Sequence, residues 1–152
     1  MTYQIRLATL KDAQIVADFN SQLAIESEGK TLDQSKLLPG VKALLQDEHK
    51  GIYHLACVAT GKPIGQVMYT YEWSDWRNGW FWWIQSVYVV AEHRGKGVFK
   101  QVFQHLQQRA KAQGNVIGFR LYVEEQNTRA HEVYARSGFE RAGYFVLEQL
   151  LA

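Results

Sequence analysis

"WFWWIQSVYVV", residues 80–90, runs directly into "AEHRGKGVFKQVFQHLQQRAK", residues 91–111, and the pair decides how this chain folds. The first stretch is a long apolar run rich in aromatic and β-branched residues, which predicts a strand. The second sets Gly95 and Gly97, both poor helix formers, at the mouth of a helix whose Phe99, Phe103, Leu106 and Ala110 recur on one face. Downstream, "NVIGFRLYVEE" (115–125) reads as another strand, so the helix is the crossover that a parallel pair requires.

Upstream, "GIYHLACVAT" (51–60) and "IGQVMYTYEW" (64–73) flank "GKP" and predict an antiparallel hairpin, with "SDWRNG" (74–79) as the loop into the long strand. "YQIRLAT" (3–9) alternates as a half-buried strand does. Thr9 and Asp12 form a variant capping box ahead of a helix whose Ile15, Val16, Phe19 and Leu23 share a face. "TLDQSKLLPGVKALLQDE" (31–48) predicts a second helical region, interrupted near Pro39 and Gly40. "NTRAHEVYARS" (127–137) predicts a short helix capped by Gly138, and "FERAGYFVLEQLL" (139–151) a final strand. The expected fold is α/β: a mixed, mostly antiparallel central sheet with helices on both faces, in a single domain spanning 1–152.

Composition removes several function classes. A net charge of +2 with the basic residues scattered argues against nucleic-acid binding, and no apolar run is long enough for a membrane span. The first residues lack the apolar core of a signal peptide, which makes the cytoplasm the expected compartment. One cysteine, Cys57, forbids an internal disulfide or a Cys-rich metal site and reads as a buried thiol, and no metal is expected.

The glycine turn has two readings. A helix N-terminus presents unpaired amides and the positive end of the helix dipole, so the turn can cradle a phosphate, with Arg94, Lys96 and Lys100 adding charge. Alternatively the glycines make only a tight turn. A Walker loop is absent, and Lys100 stands where a dinucleotide fingerprint needs its third glycine.

Four stretches together resemble the GCN5-related N-acetyltransferases. "RGKGVF" (94–99) is similar to that family's Arg/Gln-x-x-Gly-x-Gly/Ala signature and departs from it at Phe99. "SVYVVAEHRGKG" (86–97) resembles its cofactor strand and turn, and "NTRAHEVYARSGF" (127–139) its N-x-x-A-x-x-x-Y-x-x-x-G-F pattern. "IRLATLKDAQIVADF" (5–19) is similar to its first strand and helix.

The resemblance implies the GNAT fold and acetyl-CoA as cofactor. The cofactor's pyrophosphate would lie on the amides of Gly95, Lys96, Gly97, Val98, Phe99 and Lys100 beside Arg94, with its pantetheine along Val87, Tyr88 and Val89. Asn127 and Ala130 match positions near the pantetheine arm, and Tyr134 matches the family's catalytic tyrosine, although the residues alone favour a buried aromatic on the apolar face with Val133 there. The implied activity is acetyl transfer to a primary amine of a small molecule by direct attack in a ternary complex. The rival is a non-catalytic acyl-CoA-sensing or partner-binding domain, and a homodimer is common in the family.

An alkyl amine of pKa about 10.4 must lose a proton before it attacks. The acidic pair that some polyamine-acetylating relatives carry is replaced by Gln85 and Ser86, neither an ordinary base. Glu26, Glu28, Glu72, Asp75 and His54 are candidate replacements, each also readable as a solvated charge or a satisfied histidine. All five tryptophans fall in "WSDWRNGWFWW" (73–83), and Trp73 and Trp83 with Glu72 and Asp75 either line an amine pocket or pack a strand or dimer surface. Phe81, Trp83, Gln85 and Val87 share one strand face unless a bulge intervenes.

Overall fold

The computed structural model describes residues 1–151, which divide into two compact units, one of Met1–Tyr122 and one that begins at Val123. In the first unit the sheet has five strands in sequence order: β1 (Gln4–Leu7), β2 (Ile52–Cys57), β3 (Pro63–Ser74), β4 (Gly79–Val89) and β5 (Val116–Leu121). The first three pairings are antiparallel and β4 pairs with β5 in parallel. That is the mixed, mostly antiparallel sheet expected from the sequence.

Two helices cover one face, α1 (Ala13–Glu28) and α2 (Gln34–Leu45). Val16, Ala17 and Phe19 of α1 and Val41 of α2 pack on Tyr53, Leu55, Met68 and Tyr88 of the sheet. The connection into α1 is a short 3-10 turn, Leu10–Asp12, in which the Asp12 carboxylate accepts the Thr9 N–H at 2.8 Å and two bonds from Arg6 at 2.9 and 3.0 Å. The capping pair is thus joined to β1 by an ion pair.

α2 runs through Pro39 without the expected interruption. Proline there removes the bond to the Ser35 carbonyl, and Ser35 is exposed, where the cost of a lost backbone acceptor is small. The Asp33 side chain caps the helix by accepting from Ser35 N–H at 2.9 Å.

The opposite face belongs to α3 (Val98–Gln113), whose Val98, Val102, Phe103, Leu106 and Ala110 are buried. Phe103 meets Phe119 of β5 edge to face at 5.1 Å, and Arg109 donates to the Tyr69 hydroxyl at 2.8 Å. The periodicity places the stripe one residue away from Phe99, which flanks it and stacks on Phe103 at 5.7 Å. Cys57 is buried, as its apolar setting predicts.

In the second unit α4 (Thr128–Arg136) is capped at its start by Asn127, whose side-chain oxygen accepts from Ala130 N–H at 3.1 Å. It ends in a Schellman arrangement: Gly138 N–H donates to the Ala135 carbonyl at 3.1 Å and Phe139 N–H to the Tyr134 carbonyl at 3.0 Å. The expected strand over 139–151 does not form; those residues take no regular structure. A strand exists only where a neighbouring ladder satisfies its backbone, and among the described residues none pairs with this segment.

Candidate cofactor and acceptor site

The site begins at an irregularity in β4. Gln66 stands opposite Tyr88 and Met68 opposite Gln85, so Ser86 and Val87 together face the single residue Val67. This is a β-bulge, and Ser86 adopts φ +53°, a conformation costing about 1–2 kcal/mol for a residue with a side chain. The bulge is held from β3: the buried Gln66 amide donates to the Ser86 carbonyl at 3.1 Å and to Asn20 Oδ1 of α1 at 2.9 Å.

The bulge breaks the expected alternation. Gln85 and Tyr88 fall on the α1 side, Gln85 donating to Thr70 Oγ1 at 2.7 Å and Tyr88 lying in the α1 cluster. Val87 instead lines a narrow cleft against Val98, Phe99 and Val102 of α3, so it does not share a face with Gln85. Pairing of β4 with β5 also stops at Ile84 and Leu121, which leaves residues 85–89 with β3 as their only strand neighbour among the described residues. One backbone carbonyl there, that of Val89, accepts from the Arg94 side chain at 2.9 Å.

After β4 the chain makes a second 3-10 turn, Ala91–His93, and then the glycine turn. Gly95 and Gly97 have φ of +75° and +81°, and Gly97 is the residue that precedes α3 without a side-chain cap. A Cβ built on either glycine would meet no described atom within 4 Å. The glycines therefore serve the backbone conformation and leave open space above the turn. The first intrahelical bond at this end runs from Gln101 N–H to the Gly97 carbonyl at 3.1 Å, so the amides of Val98, Phe99 and Lys100 are the donors the helix itself does not use.

Arg94 points away from that space, toward α1. It bonds Glu26 at 2.6 Å, and Tyr88 donates to the other oxygen of the same carboxylate at 2.7 Å. The Tyr88 and Arg94 bonds hold the Glu26 carboxyl below its ordinary pKa, while burial and the carboxylate push the Tyr88 phenol up. Glu26 is thus an ionised anchor for the β4 end with both oxygens engaged.

The other acceptor candidates separate. On the α1 side of the ribbon, Glu72 Oε1 accepts from Trp83 Nε1 at 2.8 Å and from Arg120 at 3.2 Å. Trp83 stacks on Tyr122 at 4.6 Å, and the Arg120 guanidinium lies 3.7 Å over the Phe81 ring. Glu72, Trp83 and Gln85 are therefore neighbours on one platform, together with Thr70, Arg120 and Tyr122, which the sequence reading did not select.

Trp73 faces the other way and packs edge to face on Trp80 at 5.0 Å, while Trp82 stacks flat on Tyr69 at 4.1 Å under α3. Asp75 sits at the hairpin tip, where its side chain accepts from the Trp76 N–H at 2.9 Å, and Trp76 is exposed. Glu28 pairs at 3.7 Å with Lys30 at the end of α1. The tryptophan segment is a strand ribbon with two faces, so it forms no single aromatic pocket.

His54 is no base in this site. It is buried on the α3 side against His105, and its pKa falls to about 4 because burial, then the charges of His105 and Arg109, disfavour the imidazolium. In the second unit, Tyr134 is half-buried with its ring edge on Phe139 at 5.8 Å, and burial raises its phenol above the ordinary value of 10.0.

The model of the acetyltransferase (GNAT) family matches residues 18–139. The chain belongs to that family. A crystal structure described as a possible acetyltransferase from Clostridium difficile 630 is 45% identical, covers 100% of this chain and 99% of its own, and superposes with a TM-score of 0.91.

An integron cassette protein from the mobile metagenome of Cole Harbour Salt Marsh is 26% identical over 98% of this chain and 91% of its own, with a TM-score of 0.82. A predicted acetyltransferase from Clostridium acetobutylicum, solved with acetyl-CoA, shares the fold at 16% identity and a TM-score of 0.80, covering 97% of this chain and 96% of its own. No curated protein matches. Among the described residues no helix is long and apolar enough to cross a membrane.

Proposed function

We propose that this GNAT acetyltransferase uses acetyl-CoA to acetylate a primary amine of a small molecule, by direct attack in a ternary complex. The observation that carries the reading is the open space over Gly95 and Gly97, ringed by amides of the first turn of α3 and continuous in sequence with a strand whose edge beyond Ile84 lacks a β5 partner. A phosphate fits such a turn by backbone donors alone. The amides of 95–100 would hold the pyrophosphate with Lys96 and Lys100 beside it, and the backbone of Val87, Tyr88 and Val89 would hold the pantetheine arm. When bound, the cofactor supplies an activated thioester acyl group.

Arg94 acts by position. Its bonds to Glu26 and the Val89 carbonyl fix the end of β4. Tyr134 keeps its phenolic proton at neutral pH, and its raised pKa makes it a hydrogen-bond donor rather than an acid, since even an unshifted phenol at 10 is about 2 kcal/mol uphill toward a thiol at 8.5. For the amine, the platform of Thr70, Glu72, Trp83, Gln85, Arg120 and Tyr122 supplies an aromatic surface and polar groups on the α1 side of β4. The carboxylates of Glu26 and Glu72 are engaged by donors, so the acceptor's proton leaves to water.

Calorimetric titration with acetyl-CoA and a thiol-release assay over amines, amino acids and peptides test this. Micromolar binding with turnover of a small amine is the expected result. Binding without turnover on any acceptor would instead favour the non-catalytic domain, and no binding at millimolar cofactor would end both readings. Tyr134→Phe should lower kcat at least 10-fold while cofactor affinity holds.

A further inference from the structure

We propose that residues 1–3, ahead of β1, brace the glycine turn at both of its ends and so set the affinity for acetyl-CoA, with Tyr3 and Gln101 as positioning residues. The inference rests on the turn being the cofactor's phosphate site. Between the end of β4 and the body of α3, the amides of Gly95, Lys96 and Gly97 have no hydrogen-bond partner among the described residues. Two glycines at positive φ leave such a turn many conformations, so it does not hold its own shape. Whatever fixes it must come from outside.

The side chains that do so flank the turn. Gln101 follows it in the first turn of α3, and its carboxamide donates to the Met1 carbonyl at 2.7 Å and accepts the Tyr3 N–H at 2.9 Å. A peptide group of a parallel neighbouring strand makes the same pair of bonds to alternate residues, so Gln101 holds the segment as a strand would. His93 precedes the turn, and its Nδ1 lies 2.9 Å from the Tyr3 hydroxyl, with the two rings edge to face at 5.6 Å. Tyr3 is 5% exposed. The same short segment therefore ties positions 93 and 101, and every amide assigned to the phosphates lies between them.

These contacts are not needed to place β1, which β2 already holds by pairing from Gln4 to Leu7. What they add is rigidity at the turn. Fixing both ends before the ligand arrives removes conformational freedom that binding would otherwise have to remove, and preorganisation of this kind is read as affinity. Arg94 holds a third point of the turn, through the Val89 carbonyl and Glu26.

Calorimetry, steady-state kinetics and amide exchange on the full chain test the brace. Tyr3→Phe with Gln101→Met keeps the ring and the side-chain length and removes all three bonds. The expected result is an acetyl-CoA dissociation constant and KM at least 10-fold higher with kcat within 3-fold. In the ligand-free protein, exchange should be at least 10-fold faster at the amides of His93, Arg94 and Gln101, which bond the Val90, Ala91 and Gly97 carbonyls. Ile5→Val thins the packing of β1 and leaves the brace intact, so its affinity should change less than 2-fold. Equal loss of affinity in Ile5→Val would reduce the effect to stability and overturn the proposal, as would wild-type affinity in the double variant or unchanged exchange at the turn. A wild-type chain that fails to bind acetyl-CoA at millimolar concentration ends the functional reading as well, which separates the two failures. If the double variant misfolds, Tyr3→Phe alone decides, with binding at least 3-fold weaker expected and unchanged binding overturning the brace.

Discussion

The two faces of the β3–β4 ribbon are built from alternate residues of the same short sequence, yet they have become different materials. Toward α3 lie Tyr69, Trp80 and Trp82, with Trp82 1% exposed and stacked on Tyr69 at 4.1 Å. Toward the α1 side lie Glu72, Trp83 and Gln85, every one of them in a side-chain hydrogen bond and none fully buried. The first face was closed by a helix that returns over it. The second extends beyond what α1 and α2 cover, and its tryptophan donates its indole N–H to a carboxylate.

The difference predicts unequal costs for similar substitutions. Trp82→Ala opens a cavity beneath α3 and should cost about 3–5 kcal/mol of stability, read by chemical denaturation. Trp83→Ala should cost less, because its ring is only partly buried, and it should instead raise the amine KM. Equal losses of stability for the two would mean that the platform is core and the acceptor site lies elsewhere.

His54 sharpens the same contrast through pH. Its ring nitrogens are buried on the α3 face without a hydrogen-bond partner among the described residues, and its pKa lies at about 4 against 6.5 in the unfolded chain. Between those values the unfolded state binds more protons, so the contribution is complete above pH 6.5 and is lost as pH falls through about 4, up to about 3 kcal/mol. Denaturation midpoints from pH 7 to 4 should therefore fall less steeply in His54→Phe. An unchanged slope would show that the ring finds a partner.

How much of this was legible follows from which residues report through local pattern. The first five strands, the α3 helix and the glycine turn are set by periodicity and by backbone rules and appear as read, whereas the helix stripe begins at Val98 and leaves Phe99 at its flank. The bulge was not, because Ser86 and Val87 look like ordinary strand residues and the constraint comes from Gln66, twenty positions away across the sheet. The platform was half visible: Glu72, Trp83 and Gln85 stood out chemically, whereas Arg120 and Tyr122 join only once β5 pairs with β4. Pro39 and the 139–151 segment misled for opposite reasons. Proline's penalty is small where the orphaned carbonyl is solvated, and a strand-like sequence forms no strand without an edge to pair with.

The smallest expected change lies at the turn itself, and it separates backbone from side chain. Gly97→Val forces a β-branched residue to φ +81° and places atoms in the space above the first amides of α3. We expect acetyl-CoA affinity to fall at least 30-fold, with stability lowered by about 1–2 kcal/mol from strain alone. Phe99→Ala keeps the amide and removes only the ring that stacks on Phe103, so affinity should change less than 3-fold. Gly97→Ala, which puts a single methyl at the same φ, calibrates the conformational part. If Phe99→Ala weakened binding as much as Gly97→Val, recognition would run through the phenylalanine ring, and the glycines would be nothing more than a tight connection between β4 and α3.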